Sequence, residues 1–114
     1  MKIRRSYNVE LYLGSINEET KEEFSYEDLI REISYFQDDR AILVSVCVSS
    51  VEFISGSEYR EKGWRVSTIN YPRLNVTTKD IDKFMIDLAI VLAAVLKQNR
   101  ITVVGSKKTV MIGE

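Results

Sequence analysis

The sequence predicts an α+β fold, a two-layer sandwich in which a mostly antiparallel sheet carries two helices on one face in the order β-α-β-β-α-β-β. Three observations carry this. Residues Tyr7 to Leu13 alternate apolar and polar with the period of a half-buried strand. Two later segments, starting at Ser25 and Thr77, share a capped start followed by apolar residues at helical spacing. The remaining apolar runs are short and bounded by Gly, Pro, Ser and Lys, as strands are. The first six elements follow the split β-α-β plan of ferredoxin-like folds. Residues 1–114 read as one ligand-binding and oligomerising domain.

In the first strand Tyr7, Val9, Leu11 and Leu13 share one face, and Gly14 ends it. The charged stretch 15–23 is a loop. Ser25 then caps a helix, with Asp28 in the capping-box position and Phe24 and Leu29 as the hydrophobic staple. Its apolar stripe is Leu29, Ile30, Ile33 and Phe36, and Asp38-Asp39-Arg40 closes it. The long run from Ala41 to Ser55 changes phase at Ser49-Ser50, which predicts a β-bulge or sharp bend. Residues 55–63 read as a hydrophilic hairpin loop. The next strand runs from Trp64 to about Tyr71, where Pro72 stops it.

Thr77 caps the second helix, with Asp80 at the third position and Val76 and Ile81 as the staple. Lys97 and Arg100 suit its C-terminal dipole. Its second half, Leu88 to Leu96, is nine residues without a polar break. A surface helix keeps one polar face, and a membrane span needs about 20 residues. The segment therefore predicts burial against a second copy, a homo-oligomer joined through this helix. Two strands, 100–104 and 109–112, close the chain around the turn Gly105-Ser106-Lys107-Lys108.

An apolar fraction of 45% and a charged fraction of 29% are those of a globular protein. A net charge of -1 gives no reason to expect DNA, RNA or a membrane as partner. The N-terminus lacks the apolar core of a signal peptide, which predicts a cytoplasmic protein. Histidine is absent and Cys47 is the single cysteine, so the usual proton shuttle, a disulfide and a Cys/His metal site are not expected. Cys47 reads as a small buried hydrophobe. With no nucleophile elbow, phosphate loop or metal motif, neither an enzyme nor a cofactor is expected.

Anion binding is the chemistry that the residues favour. Three stretches set Arg or Lys beside aromatic or amide side chains: Tyr59 to Arg65, Asn70 to Asn75, and Gln98-Asn99-Arg100 with Lys107-Lys108. Arginine clamps phosphate oxygens in pairs, a ring stacks on a base, and Asn or Gln reads a purine edge. The candidate ligand-binding residues are Trp64, Arg65, Asn70, Tyr71, Arg73, Asn75, Arg100, Lys107 and Lys108. The bland readings stand beside this one: Trp64 as core, Tyr71-Pro72-Arg73 as a corner, and the lysines as an ordinary turn.

Val9-Glu10-Leu11-Tyr12-Leu13-Gly14, Asn70-Tyr71-Pro72-Arg73, Asn99 to Val103 and Lys108 to Ile112 together resemble the first-described type of Thoeris anti-defence proteins of phages. The resemblance implies a sponge that sequesters cyclic ADP-ribose-type signalling nucleotides without cleaving them. For some members it extends to CBASS cyclic oligonucleotides. It also implies assembly to a hexamer with pockets between subunits. The alternative reading is a small homo-oligomeric structural or protein-interaction module, and the second rival is a small enzyme of ferredoxin-like fold that uses Tyr or a carboxylate on a nucleotide or small metabolite.

Overall fold

The computed structural model describes residues 1–72 and 75–113. Seven elements follow the expected order: β1 (Asn8–Gly14), α1 (Tyr26–Asp38), β2 (Cys47–Ser55), β3 (Tyr59–Ile69), α2 (Thr78–Val95), β4 (Arg100–Gly105) and β5 (Thr109–Gly113). The strands form one sheet in the order β2-β3-β1-β4-β5, and every neighbouring pair is antiparallel. The four strands β2-β3-β1-β4 are the split β-α-β arrangement, and β5 extends it by a hairpin on β4.

Strand alternation divides the sheet into two faces. Val9, Leu11 and Leu13 of β1 stand on the helix side, beside their register partners Thr68, Val66 and Trp64 on β3 and Gly105 and Val103 on β4. The core is built on this face, where Leu11, Val66 and Ile101 meet Leu29 of α1 and Ile81, Met85, Leu88 and Leu92 of α2, all fully buried. The helices meet through an edge-on contact of Phe36 and Phe84, with ring centroids 5.1 Å apart. The other face of the sheet carries Glu10, Tyr12, Phe53, Tyr59, Glu61, Arg65, Arg100 and Thr102, with no helix over it.

Both helix starts form as the sequence predicts. Ser25 and Thr77 each accept a hydrogen bond from the backbone of Asp28 and Asp80, and each of these carboxylates accepts one in return from its cap residue. Phe24 and Leu29 are buried, as the staple requires.

Two expectations are corrected. Residues 41–46 are not strand, and β2 pairs with β3 in unbroken register from Cys47↔Ser67 to Ser55↔Tyr59, so there is no bulge. The phase change in the sequence marks instead where the apolar residues of β2 pass from one face of the sheet to the other: Val48 lies beside Val66 on the helix side, and Val51 and Phe53 lie beside Gly63 and Glu61 on the open face. Strand β3 begins at Tyr59, not Trp64, and its first residues pair with β2 alone, beyond the end of β1. The single chain covers one side of the apolar run of α2. Between Leu88 and Leu96, Leu88, Ala89, Leu92 and Leu96 are buried in one subunit, and the outer edge, Ile90, Ala94 and Val95, is exposed. No helix among the described residues is long and apolar enough to cross a membrane.

Candidate functional site

The overhang of the β2–β3 hairpin past the end of β1 makes one wall of a cleft on the helix-free face. The opposite wall is the corner between α2 and β4. Helix α2 ends at Val95 with Leu96 as its C-cap, and Lys97 takes a left-handed conformation at φ 53°. The Gln98 N–H then bonds back to the Ala93 carbonyl at 2.9 Å, the long-range bond of a Schellman motif. The Gln98 amide donates to the Ile16 carbonyl at 2.8 Å, and the Glu18 N–H donates to Lys97 at 3.0 Å. The corner is thereby tied to the loop after β1, which fixes Gln98, Asn99 and Arg100 opposite the overhanging hairpin.

The cleft holds about 690 Å³. Tyr12, Phe53 and Tyr59 give it aromatic surface, Glu18 and Glu61 give it carboxylates, and Arg100 gives it a guanidinium; Gln98, Asn99 and Thr102 add neutral polar groups. Gly14 lines it, and Gly63, its register partner across β1 and β3, lies beneath the Phe53 ring. A methyl group on Gly63 would strike the Phe53 ring and the Leu13 carbonyl oxygen, and one on Gly14 would lie 2.7 Å from Glu61 Oε1. The paired glycines let the ring and the carboxylate lie down onto the sheet. Tyr12 meets Phe53 edge-on with centroids 6.4 Å apart.

Hydrogen bonds orient the polar groups. The Tyr59 hydroxyl donates to Glu61 Oε2, and this bond pushes the Tyr59 phenol above its ordinary pKa while the charge of nearby Arg100 pulls it down. Tyr12 donates to Glu10 Oε2 at 2.6 Å, which raises the Tyr12 phenol in the same way. Arg65, the register partner of Tyr12, lies 3.8 Å from the same Glu10 oxygen and pulls the Tyr12 phenol part of the way back down.

Of the nine candidate ligand-binding residues, Arg100 alone lines this cleft among the described residues. Two of the three basic-aromatic stretches do meet here, through Tyr59 and Glu61 and through Gln98, Asn99 and Arg100. Strand parity puts Tyr59 and Glu61 into the cleft and turns Arg60 and Lys62 away, so the stretch contributes a carboxylate where a cation was expected.

The other candidates lie elsewhere, and their grouping into one pocket is corrected. Trp64 is on the helix side, partly buried against Tyr26 with centroids 5.7 Å apart. Its indole N–H and the Arg65 Nε are buried without a partner among the described residues. Asn70 is buried and structural: its side chain accepts from the Tyr7 N–H at 2.9 Å and donates to the Arg5 carbonyl. Tyr71 places its hydroxyl 3.8 Å from the Cys47 thiol, and Cys47 is exposed, not buried as expected. Asn75 is exposed ahead of the α2 cap. Arg73 lies outside the described residues. Lys107 and Lys108 line a separate cleft between α2 and the β4–β5 hairpin.

Among the described residues no group of three or more Cys, Asp or Glu side chains is placed to hold a metal ion. Comparison with protein-family models and with curated proteins finds no match. Two solved structures share the fold over 100% of this chain and 97% of theirs. One is a phage SAM lyase in complex with S-methyl-5'-thioadenosine, at 14% identity and a TM-score of 0.72. The other is a phage SAM lyase in the apo state, at 13% identity and a TM-score of 0.78. The chain thus has a fold on which a phage protein binds a small nucleoside ligand. Neither structure is a Thoeris anti-defence protein. The expectation that the chain is no enzyme is overturned by the same finding, because its structural neighbours are enzymes. A search for histidines and metal motifs passes over reactions that use neither.

Proposed function

We propose that this chain is a lyase acting on S-adenosylmethionine or a similar adenosyl sulfonium, with the cleft over Gly14 and Gly63 as its binding site. The observation that carries the reading is the charge pattern of the cleft. Two carboxylates, Glu18 and Glu61, and one guanidinium, Arg100, sum to -1. S-adenosylmethionine carries a sulfonium, an ammonium and a carboxylate, which sum to +1. Arg100 suits the carboxylate as a planar fork, and Glu61 and Glu18 suit the cationic groups. Tyr12, Phe53 and Tyr59 offer faces for the adenine and for the sulfonium.

The chemistry asks little of the protein beyond positioning. When the bond between sulfur and the methionine-derived carbon breaks, its electron pair goes to sulfur. The leaving group departs as the neutral thioether S-methyl-5'-thioadenosine and takes no proton. The carbon left behind is satisfied by its own carboxylate, closing a ring, or by loss of a proton from its neighbour. The ring-closing route needs no general base, which removes the objection raised by the absence of histidine. Loss of the positive charge also weakens the hold of Glu18 and Glu61 on the nucleoside product, which favours its release.

A cyclic ADP-ribose-type nucleotide is the competing occupant. It brings a diphosphate to a cleft whose described lining holds two carboxylates against one guanidinium, a charge pattern that opposes it. The test is incubation with S-adenosylmethionine followed by chromatography and mass spectrometry. The expected result is accumulation of S-methyl-5'-thioadenosine, abolished or strongly reduced in Glu61→Gln and Arg100→Ala. Recovery of intact S-adenosylmethionine after prolonged incubation overturns the reading. Binding and intact return of a cyclic ADP-ribose isomer would replace it with the sponge.

A further inference from the structure

The two lysines of the β4–β5 turn belong to a second cleft, on the helix side and at the opposite end of β1. It holds about 250 Å³ between α2 and the terminal hairpin. Its apolar lining is Val9, Ile86, Val103 and Val110. The hairpin wall carries Lys107 and Lys108, which are exposed and form no ion pair among the described residues. The helix wall carries Asp82, whose Oδ1 accepts a hydrogen bond from the Tyr7 hydroxyl at 2.5 Å.

Both walls are held in place. Gly105 N–H bonds to the Lys108 carbonyl at 2.8 Å, closing the turn. Ser106 Oγ accepts from the Asn8 N–H and donates to the Asn8 carbonyl, both at 3.1 Å, pinning the turn to β1. Tyr7 is fixed by the Asn70 clamp on its backbone and by its hydroxyl on Asp82. Burial together with that bond to Asp82 pushes the Tyr7 phenol up to about 12, so its hydroxyl remains a donor.

An anion alone would meet the Asp82 carboxylate, and a cation alone would meet the lysines. A ligand with both charges satisfies both walls, and an apolar stem between them suits the valines and isoleucine. We propose that this cleft binds a small zwitterion, with its carboxylate at Lys107 and Lys108 on the hairpin, its ammonium at Asp82 on α2, and an aliphatic stem between. The site is separate from the cleft over Gly14 and Gly63 and stands whether or not the lyase reading does.

The probes are 6-aminohexanoate, hexanoate and hexylamine, titrated into the whole chain and followed by amide chemical shifts. The zwitterion shifts Val9, Ile86, Gly105 and Val110 saturably and binds about tenfold more tightly than either singly charged probe, the equivalent of ~1.4 kcal/mol. The double variant Lys107→Ala/Lys108→Ala, on an exposed turn, brings the zwitterion to the affinity of hexylamine. Asp82→Asn keeps an acceptor for Tyr7 and brings it to the affinity of hexanoate. Equal binding of all three probes, or binding unchanged in both variants, overturns the assignment.

Discussion

Gly14 and Gly63 are opposite each other in the register, yet they resist substitution for different reasons. At Gly63 a methyl group meets the Phe53 ring and lies 2.5 Å from the Leu13 carbonyl oxygen, which is backbone and cannot swing away. Gly63→Ala is expected to lose about 1–3 kcal/mol of stability, as overpacked positions do, measured by urea unfolding. At Gly14 the obstacle is the end of the flexible Glu61 side chain. Gly14→Ala is therefore expected to keep most of its stability but to displace the Glu61 carboxylate. Binding of S-adenosylmethionine should weaken in that variant while the unfolding midpoint moves little. Asn70 gives the reverse contrast. Its amide serves the backbone of Arg5 and Tyr7, so Asn70→Ala leaves buried polar groups unpaired. It should lose about 1–3 kcal/mol of stability without touching the cleft. At this scale the sequence was legible in residue type and not in role. A buried clamp and a ligand-reading amide are the same letter, and the sign of the Tyr59–Arg65 stretch turned on a parity that could be assigned only once β3 was known to begin at Tyr59.

The helices were legible at their starts because a capping box is local: the cap, the acid three residues on and the staple lie within a single turn. Ser25→Ala and Thr77→Ala should each lose about 1 kcal/mol. The partner acids add a pH signature. The Ser25 N–H holds the Asp28 carboxyl below its ordinary pKa, and the Thr77 N–H does the same for Asp80. A carboxylate whose folded pKa lies below the unfolded value of about 3.9 adds stability that is present above that pH and lost as pH falls through the folded pKa. The drop in urea midpoint between pH 7 and pH 3 is thus expected to be smaller in Asp28→Asn/Asp80→Asn than in the parent. The strands were less legible at their bounds. Tyr59 to Lys62 form an overhanging two-stranded ribbon without a helix behind it, so no apolar alternation announces the strand. Residues 41–46 have that alternation and no strand partner. The left-handed turn at Lys97, which aims Gln98 to Arg100 into the cleft, lacks the glycine that usually marks such a turn.

For the molecule as a whole, the question raised by the apolar run of α2 is how much of it one chain can hide. The period of the helix decides this. The residues that point at the sheet and at α1, among them Leu88, Ala89 and Leu92, are fully buried. Those on the outer edge, Ile90 at 50% and Val95 at 45%, stay half-exposed. The sequence showed that the segment was apolar all round, and it could not show that five strands and one further helix were enough to bury the inner side. Two sets of substitutions separate the faces. Leu92→Ala empties a fully packed position and should lose about 2–5 kcal/mol. Ile90→Gln and Val95→Gln alter positions that the single chain leaves open, and each should change stability by no more than about 0.5 kcal/mol. Run at several protein concentrations, the same urea titrations expose any contribution from a second copy. A subunit interface on the outer edge of α2 would make the midpoint of the parent rise with concentration, and Ile90→Gln would remove that rise. A midpoint independent of concentration in both proteins shows the fold standing on the one-sided core, with the outer edge of α2 contributing little to it.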